Sequence, residues 1–266
     1  VTAGALVALL AAGACTERSP ANPPEAPATA PAADATPRRI VAFTCAAVDV
    51  ITALGELDRV IAVEEDCPAP GTEKMVKIRN DDHPGQVHIV MVEAILAMHP
   101  DLVIAKADLK EVLGDRGLRM LWSPPVLDME SLPAFVDDVA RTLGVPDRGR
   151  ALIEKMRATE ARLRERTSGA RRVRVYYENN GVGKTAGRRS IVDAMIRLAG
   201  GENIVDDPRS SVAINAEAIL AADPEVIILG SFAEDPAEVA KRPGWDRIAA
   251  VRDGRIHKVP VERRSV

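Results

Sequence analysis

The chain has 266 residues, with 35 Lys and Arg against 39 Asp and Glu, a formal net charge of −4 and a pI near 5.7. That balance, with no basic stripe, argues against a nucleic-acid partner. There is no Gly-x-Ser-x-Gly elbow, no His-Glu-x-x-His helix and no paired Cys-x-x-Cys, so the sequence offers no catalytic residues.

Residues 1–14 (VTAGALVALLAAGA) are small and apolar and run directly into Cys15. The stretch is too short to span a bilayer and has the length of a signal-peptide core. With no initiating Met and no basic n-region, it is expected to be part of a signal peptide. Small residues before a Cys resemble a bacterial lipobox, although Ala12 stands where Leu is usual, so Cys15 is the expected lipidation site. Residues 15–37 follow as a tether dense in Pro and Ala, with too few large apolar side chains to offset the entropy of ordering. The protein is expected to be exported and held by lipid at the periplasm or the outer face of the cytoplasmic membrane.

Next come strands and helices in alternation. Residues 39–43 (RIVAF) predict a first strand, residues 47–54 a helix ending at Gly55, and residues 59–63 (RVIAV) a second strand. Residues 101–105 predict a third, and residues 118–122 and 126–129 one or two more. At 131–143 the run SLPAFVDD reads as a capped helix start with Pro in the first turn. Residues 147–166 contain no Pro and no Gly beyond Gly149, with Leu152, Met156 and Leu163 near one face, which predicts one long helix. Residues 172–177 (RVRVYY) open a second series. A helix over 190–198 follows, closed by Gly200 and Gly201, and a last strand lies at 255–259.

One segment occurs twice. Residues 92–105 (VEAILAMHPDLVIA) and 216–229 (AEAILAADPEVIIL) share seven of fourteen positions at an offset of 124. In each, a Glu opens a short helix, a Pro breaks it and a β-branched run reads as a buried parallel strand. So long a period fits two similar α/β lobes rather than a solenoid.

Taken in order, strand, helix, Gly, strand, EAIL…PDLVIA, the long helix, TAGRRSIVDAMIRLAGGENI, EAIL…PEVIIL and RPGWDRIAAVRDGRIHKVP resemble periplasmic substrate-binding proteins of ABC importers. The class is the one with a rigid helix between lobes that serves cobalamin, ferric siderophores and haem. The resemblance covers about residues 38–260, and LAGGENI (198–204) and RPGWDRIAAVRDGRI (242–256) are its most specific pieces. It implies an α/β fold of two Rossmann-like lobes, each a mostly parallel sheet flanked by helices, joined by one long helix. The expected boundaries are an N-terminal lobe at 38–146, the connecting helix at 147–168 and a C-terminal lobe at 169–266. Family members usually continue into a closing helix, so the C-terminal lobe is expected to be truncated here.

The implied function is capture of a metal chelate between the lobes and delivery to an ABC permease and its ATPase, by a monomer with no intrinsic cofactor. A corrinoid is favoured, because Glu64-Glu65-Asp66-Cys67-Pro68 looks like the Cys-Pro turn of cobalamin-binding members. Ferric siderophore and haem stand behind it. An exported two-lobed metal-binding enzyme is the rival from another class, and a plain surface protein the third option.

In open α/β sheets ligands sit at the carboxyl ends of strands. This nominates Thr44, Cys45, Ala46, Asp66 and Cys67 in the first lobe, and Tyr177, Asn179, Thr185, Arg188 and Arg189 in the second. Gly181-Val182-Gly183-Lys184-Thr185 looks like the end of a phosphate-binding loop, but Glu178 stands where such a loop needs Gly, so a ligand wall is preferred. Cys45 and Cys67 form a disulfide, supply a thiolate to a metal in the ligand, or merely pack. His83 and His88 lie in a polar segment before the first repeat helix, where a histidine could reach a metal presented by the ligand or simply be exposed. His83 and Cys67 are therefore the two candidate metal contacts. The resemblance also assigns permease docking to one acidic residue per lobe, Glu93 and Glu217, at equivalent places in the repeat.

Overall fold

The computed structural model describes residues 35–65, 67, 69–79, 87–124 and 128–259, with backbone alone for 87–91. These residues fall within one compact unit. Cys15, Asp66 and His83 lie outside the described residues.

The first half runs β1 (Ile40–Phe43), α1 (Cys45–Ala53), β2 (Val60–Glu64), β3 (Val76–Ile78), α2 (Val87–Ala97), β4 (Leu102–Lys106), α3 (Lys110–Leu113), β5 (Met120–Ser123) and α4 (Ser131–Thr142). All five strands pair in parallel in the order β3-β2-β1-β4-β5. Side chains of β1 alternate across the sheet, as the strand period of two requires. Ile40 and Ala42 join α1 and α4 in one core cluster, while Val41 and Phe43 join α2 and α3 in another. A sheet covered on both faces explains why its central strands read as unbroken apolar runs.

The second half runs α5 (Pro146–Thr167), β6 (Val173–Glu178), β7 (Lys184–Ala186), α6 (Ile191–Leu198), β8 (Gly201–Asn203), β9 (Ser211–Ala213), α7 (Ala216–Ala222), β10 (Val226–Leu229), α8 (Pro236–Val239), α9 (Ala249–Arg252) and β11 (Ile256–Lys258). Here β11-β10-β6-β8 form a second parallel sheet, and β7 and β9 make a separate antiparallel pair. The architecture is the expected one of two Rossmann-like sheets joined by one long helix.

The 22-residue α5 starts with Pro at its first position and carries no internal Pro, so nothing in it offers a kink. It is fastened at both ends. Arg148 donates to Glu56 at 2.6 Å and to the Leu54 carbonyl at 3.0 Å in the N-terminal lobe. At the other end the Thr167 hydroxyl reaches the Leu198 carbonyl at the end of α6, at 3.3 Å. No helix among the described residues is long and apolar enough to cross a membrane.

Four readings need correction. Helix α2 begins at Val87, so Glu93 lies well inside it and His88 belongs to the helix rather than to a preceding loop. Helix α4 does start capped, through Asp128: the Asp128 carboxylate accepts the Ser131 N–H at 2.7 Å, and the Ser131 hydroxyl accepts the Asp128 N–H at 3.0 Å. That reciprocal arrangement is a capping box. Asp128 and Met129 are consequently turn, not strand, and the rest of that expected strand lies outside the described residues. Thirdly, strands β3, β7, β8 and β9 were not expected. Each is three residues long, too short to register as an apolar period. Finally, Cys45 and Cys67 are not joined by a disulfide.

Candidate functional site

Parallel strands end along one edge, and a ligand crevice opens where the winding order reverses. In the first sheet that reversal falls between β1 and β4; in the second it falls between β6 and β10. The repeated segment supplies one partner at each point, since β4 and β10 are its two strand halves. The lobes approach each other beside α6. Ile191 packs against the N-terminal core cluster, and the charge of Arg189 acts on Asp128. The Ser131 N–H and hydroxyl hold the Asp128 carboxyl below its ordinary range, with Arg189 adding to the effect. A separate groove of about 680 Å³ runs beside the C-terminal half of α5, with Met129 on the N-terminal side and Arg164, Arg172 and Arg197 on the other.

At the first switch point, Thr44 is buried and its hydroxyl caps α1, accepting from the Ala47 N–H at 3.3 Å. Cys45 and Ala46 are half-buried in the first turn of that helix. Cys67 is 2% exposed and belongs to the core cluster beneath α1, with Cys45 packed against it. The hydrogen bond with Cys45, then burial, push the Cys67 thiol up. The pair is thus two thiols in contact, with no disulfide between them. No cluster of three or more His, Cys, Asp or Glu among the described residues is placed to hold a metal ion.

At the second switch point, Tyr177 is half-buried and donates to the Asn179 side-chain oxygen at 3.2 Å, with Asn179 itself exposed. Arg188 pairs with Asp206 at 2.8 Å. Arg189 and Arg209 flank a recess of about 390 Å³. Arg209 grips Asp207 with both ends of its guanidinium and holds that carboxyl at about 2. Arg188 and Arg209 are thus paired with carboxylates of the same segment. Thr185 is 4% exposed on the β7 strand, with a hydroxyl that has no hydrogen-bond partner among the described residues.

The phosphate-loop likeness ends in a buried network. Glu178 is fully buried and receives both arms of Arg242 at 2.7 Å, while Tyr176 donates to the same carboxylate at 3.0 Å. The Gly183 N–H, which a phosphate loop would turn outward, donates instead to the Tyr176 hydroxyl at 3.0 Å. Arg242 also lies 4.6 Å from the centre of the Trp245 ring, which meets Tyr176 edge-on at 6.1 Å. Burial, then the neighbouring carboxylate, hold the Tyr176 hydroxyl above its ordinary range. One network therefore fixes the loop after β6 to the segment that begins at Arg242.

The docking candidates Glu93 and Glu217 are both exposed. Two helical turns of the repeat superpose in burial as well: Ile95 and Ile219, at equivalent positions, are each 0% exposed.

Two parallel sheets joined by a single long helix make up the fold. The sequence pattern of the periplasmic binding protein family matches residues 40–261, and the chain belongs to that family. A cobalamin-binding protein of Halobacterium salinarum is 26% identical over 224 residues, covering 81% of this chain; the chain spans 60% of that relative's length. An uncharacterized ABC transporter substrate-binding lipoprotein of Bacillus subtilis, YvrC, is 24% identical over 235 residues, covering 84% of this chain and 73% of its own. Among solved structures, the periplasmic heme-binding protein BhuT in complex with two hemes aligns with a TM-score of 0.67 and 25% identity, over 83% of this chain and 88% of its own. The family and these neighbours are binding proteins of transport systems, not enzymes, and the family implies an exported protein.

Proposed function

We propose that the chain captures a metal chelate, a corrinoid first among the candidates, between its two lobes and passes it to an ABC permease. The observation that carries this reading is the pair of switch points, each completed by one copy of the repeated strand, within a family of periplasmic binding proteins. Corrinoid is favoured by the cobalamin-binding relative, which aligns over 81% of this chain. Haem is the second reading, favoured by the likeness to BhuT at 25% identity. The permease partner follows from the ABC transporter substrate-binding relative, and Cys15 is proposed as the lipid anchor. Glu93 and Glu217 are proposed as the docking residues.

Purified protein mixed in turn with cyanocobalamin, hemin and a ferric siderophore, then passed through a sizing column, tests the reading. Each ligand has its own visible band. The band of cyanocobalamin should travel with the protein at one equivalent. A protein peak colourless with all three ligands would remove the proposal.

A further inference from the structure

The aromatic residues of this chain are few enough to place one by one. Of three Phe, two Tyr and two Trp, Phe43, Phe135, Tyr176 and Trp245 are at most 2% exposed and belong to the cores. Trp122 packs on the second core cluster of the N-terminal lobe, and Tyr177 is half-buried at the end of β6. Phe232 is different, with half of its surface in solvent. It sits in the turn that leaves β10, at the switch point of the second sheet, where a ligand crevice is expected.

The geometry of that turn ties it to the wall already described. The Gly230 N–H donates to the Glu178 carbonyl at 2.7 Å, and the Ala233 N–H closes the turn on the Gly230 carbonyl at 3.0 Å. A Cβ at position 230 would stand 2.8 Å from the Tyr177 hydroxyl and 2.9 Å from the Asn179 carbonyl. Only glycine allows this close approach, and it sets the start of the turn that carries Ser231 and Phe232 against Tyr177 and Asn179. A second observation points the same way. The Ser231 hydroxyl is buried and has no hydrogen-bond partner among the described residues, a cost that a ligand group would relieve. Val182, on the loop after β6, is 49% exposed and adds another apolar side chain at the same sheet edge.

We propose that the turn of residues 230–232 is a ligand-contacting element, in which Phe232 covers the flat face of a planar metal macrocycle, a corrin or porphyrin, and the Ser231 hydroxyl bonds a polar group at its edge. This rests on the chelate reading above and narrows it. An exposed aromatic ring at a cleft matches a flat, largely apolar ligand face, whereas a non-planar ferric siderophore presents oxygen-rich edges better met by the arginines of the rim.

The test titrates wild type, Phe232→Ala, Phe232→Tyr and Ser231→Ala with cyanocobalamin, hemin and ferrichrome, following visible absorbance and circular dichroism of the bound ligand. Losing the ring from a buried ligand contact should weaken macrocycle binding at least about tenfold and alter the induced dichroism. Phe232→Tyr should restore both, and Ser231→Ala should weaken binding more mildly. Melting temperatures of all four proteins are measured alongside, so that a loss of affinity is not mistaken for a loss of fold. If wild type binds a macrocycle and Phe232→Ala matches it in affinity and dichroism, this inference falls while the chelate reading stands. Tight binding of ferrichrome alone would also overturn it, and binding of none of the three would remove both.

Discussion

His99 and Asp223 lie 124 residues apart, each just before a proline, and they are the two non-glycine residues with positive φ among the described residues, at 46° and 40°. A left-handed residue that ends a helix ahead of Pro is a strong terminator, and an L-residue adopts it only at some cost. Its recurrence at the repeat offset shows that the duplication extends to the backbone and not merely to residue identity. The two copies therefore present Glu93 and Glu217 at corresponding places in the two lobes.

That correspondence gives the first prediction. Glu217 stands in the first turn of α7, where a carboxylate favours the helix dipole; Glu93 lies well inside α2 and gains no such benefit. The docking role proposed above is a shared role outside helix stability. Replacing both by Ala should leave chelate affinity within about twofold, since each is exposed. Uptake in cells carrying the cognate permease should be lost. Normal uptake by the double variant would contradict the docking role.

The second prediction concerns the strut. Gly149 is buried inside α5, where Gly is ordinarily worse than Ala by about 1 kcal/mol. Here a Cβ would stand 2.4 Å from the Ala140 Cβ of α4, so the usual sign should reverse. Gly149→Ala should lower stability to urea, and adding Ala140→Gly should recover most of the loss. A more stable single variant would mean that the two helices do not meet this closely.

A third prediction follows from the buried pair. With Glu178 0% and Arg242 10% exposed, removing one partner strands a charge. Arg242→Met should cost about 3–5 kcal/mol, and Arg242→Met with Glu178→Leu should recover a large part of it. Urea denaturation of the two variants measures the difference. Equal losses would show that the pair is not energetically coupled.

The fourth prediction is a pH dependence. Arg171 grips Glu225 with two hydrogen bonds, at 2.7 and 3.1 Å, and the Arg174 N–H adds a third. These bonds, that of Arg171 first, lower the Glu225 carboxyl from 4.5 to about 2. Between those values the unfolded chain binds the proton and the folded one does not. The contact's contribution is therefore complete above pH 4.5 and is lost as pH falls towards 2. The difference in melting temperature between wild type and Glu225→Gln should be largest at neutral pH and close across that window. A difference that stays constant with pH would contradict the assignment.

Much of this fold can be read from the chain because its central strands are buried on both faces. RIVAF, RVIAV and the two repeat strands appear as apolar runs bounded by Gly or Pro, and the strut appears as a long stretch without either. The short strands escape because their pairing is set by neighbours: β3 is Val-Lys-Ile at a sheet edge, and β7 pairs with β9 from 25 residues further along. The site was half legible. Strand order locates the ends of β1 and β6, but the turn at Gly230 carries no motif, and its importance follows only from its approach to Tyr177. Extending the repeat by one step would have found it, since the segment after β10 stands where that after β4 does. Cys45 and Cys67 do come together, yet the sequence cannot tell two thiols packed under a helix from a bridge or a metal ligand.

Amide hydrogen exchange with and without saturating cyanocobalamin tests the central claim most directly, because capture between lobes must slow exchange in both. The account predicts protection at residues 44–46 in one lobe and at residues 179–183 and 230–232 in the other, with α5 unchanged. Protection confined to one lobe, or found instead in the groove beside the C-terminal half of α5, would contradict it.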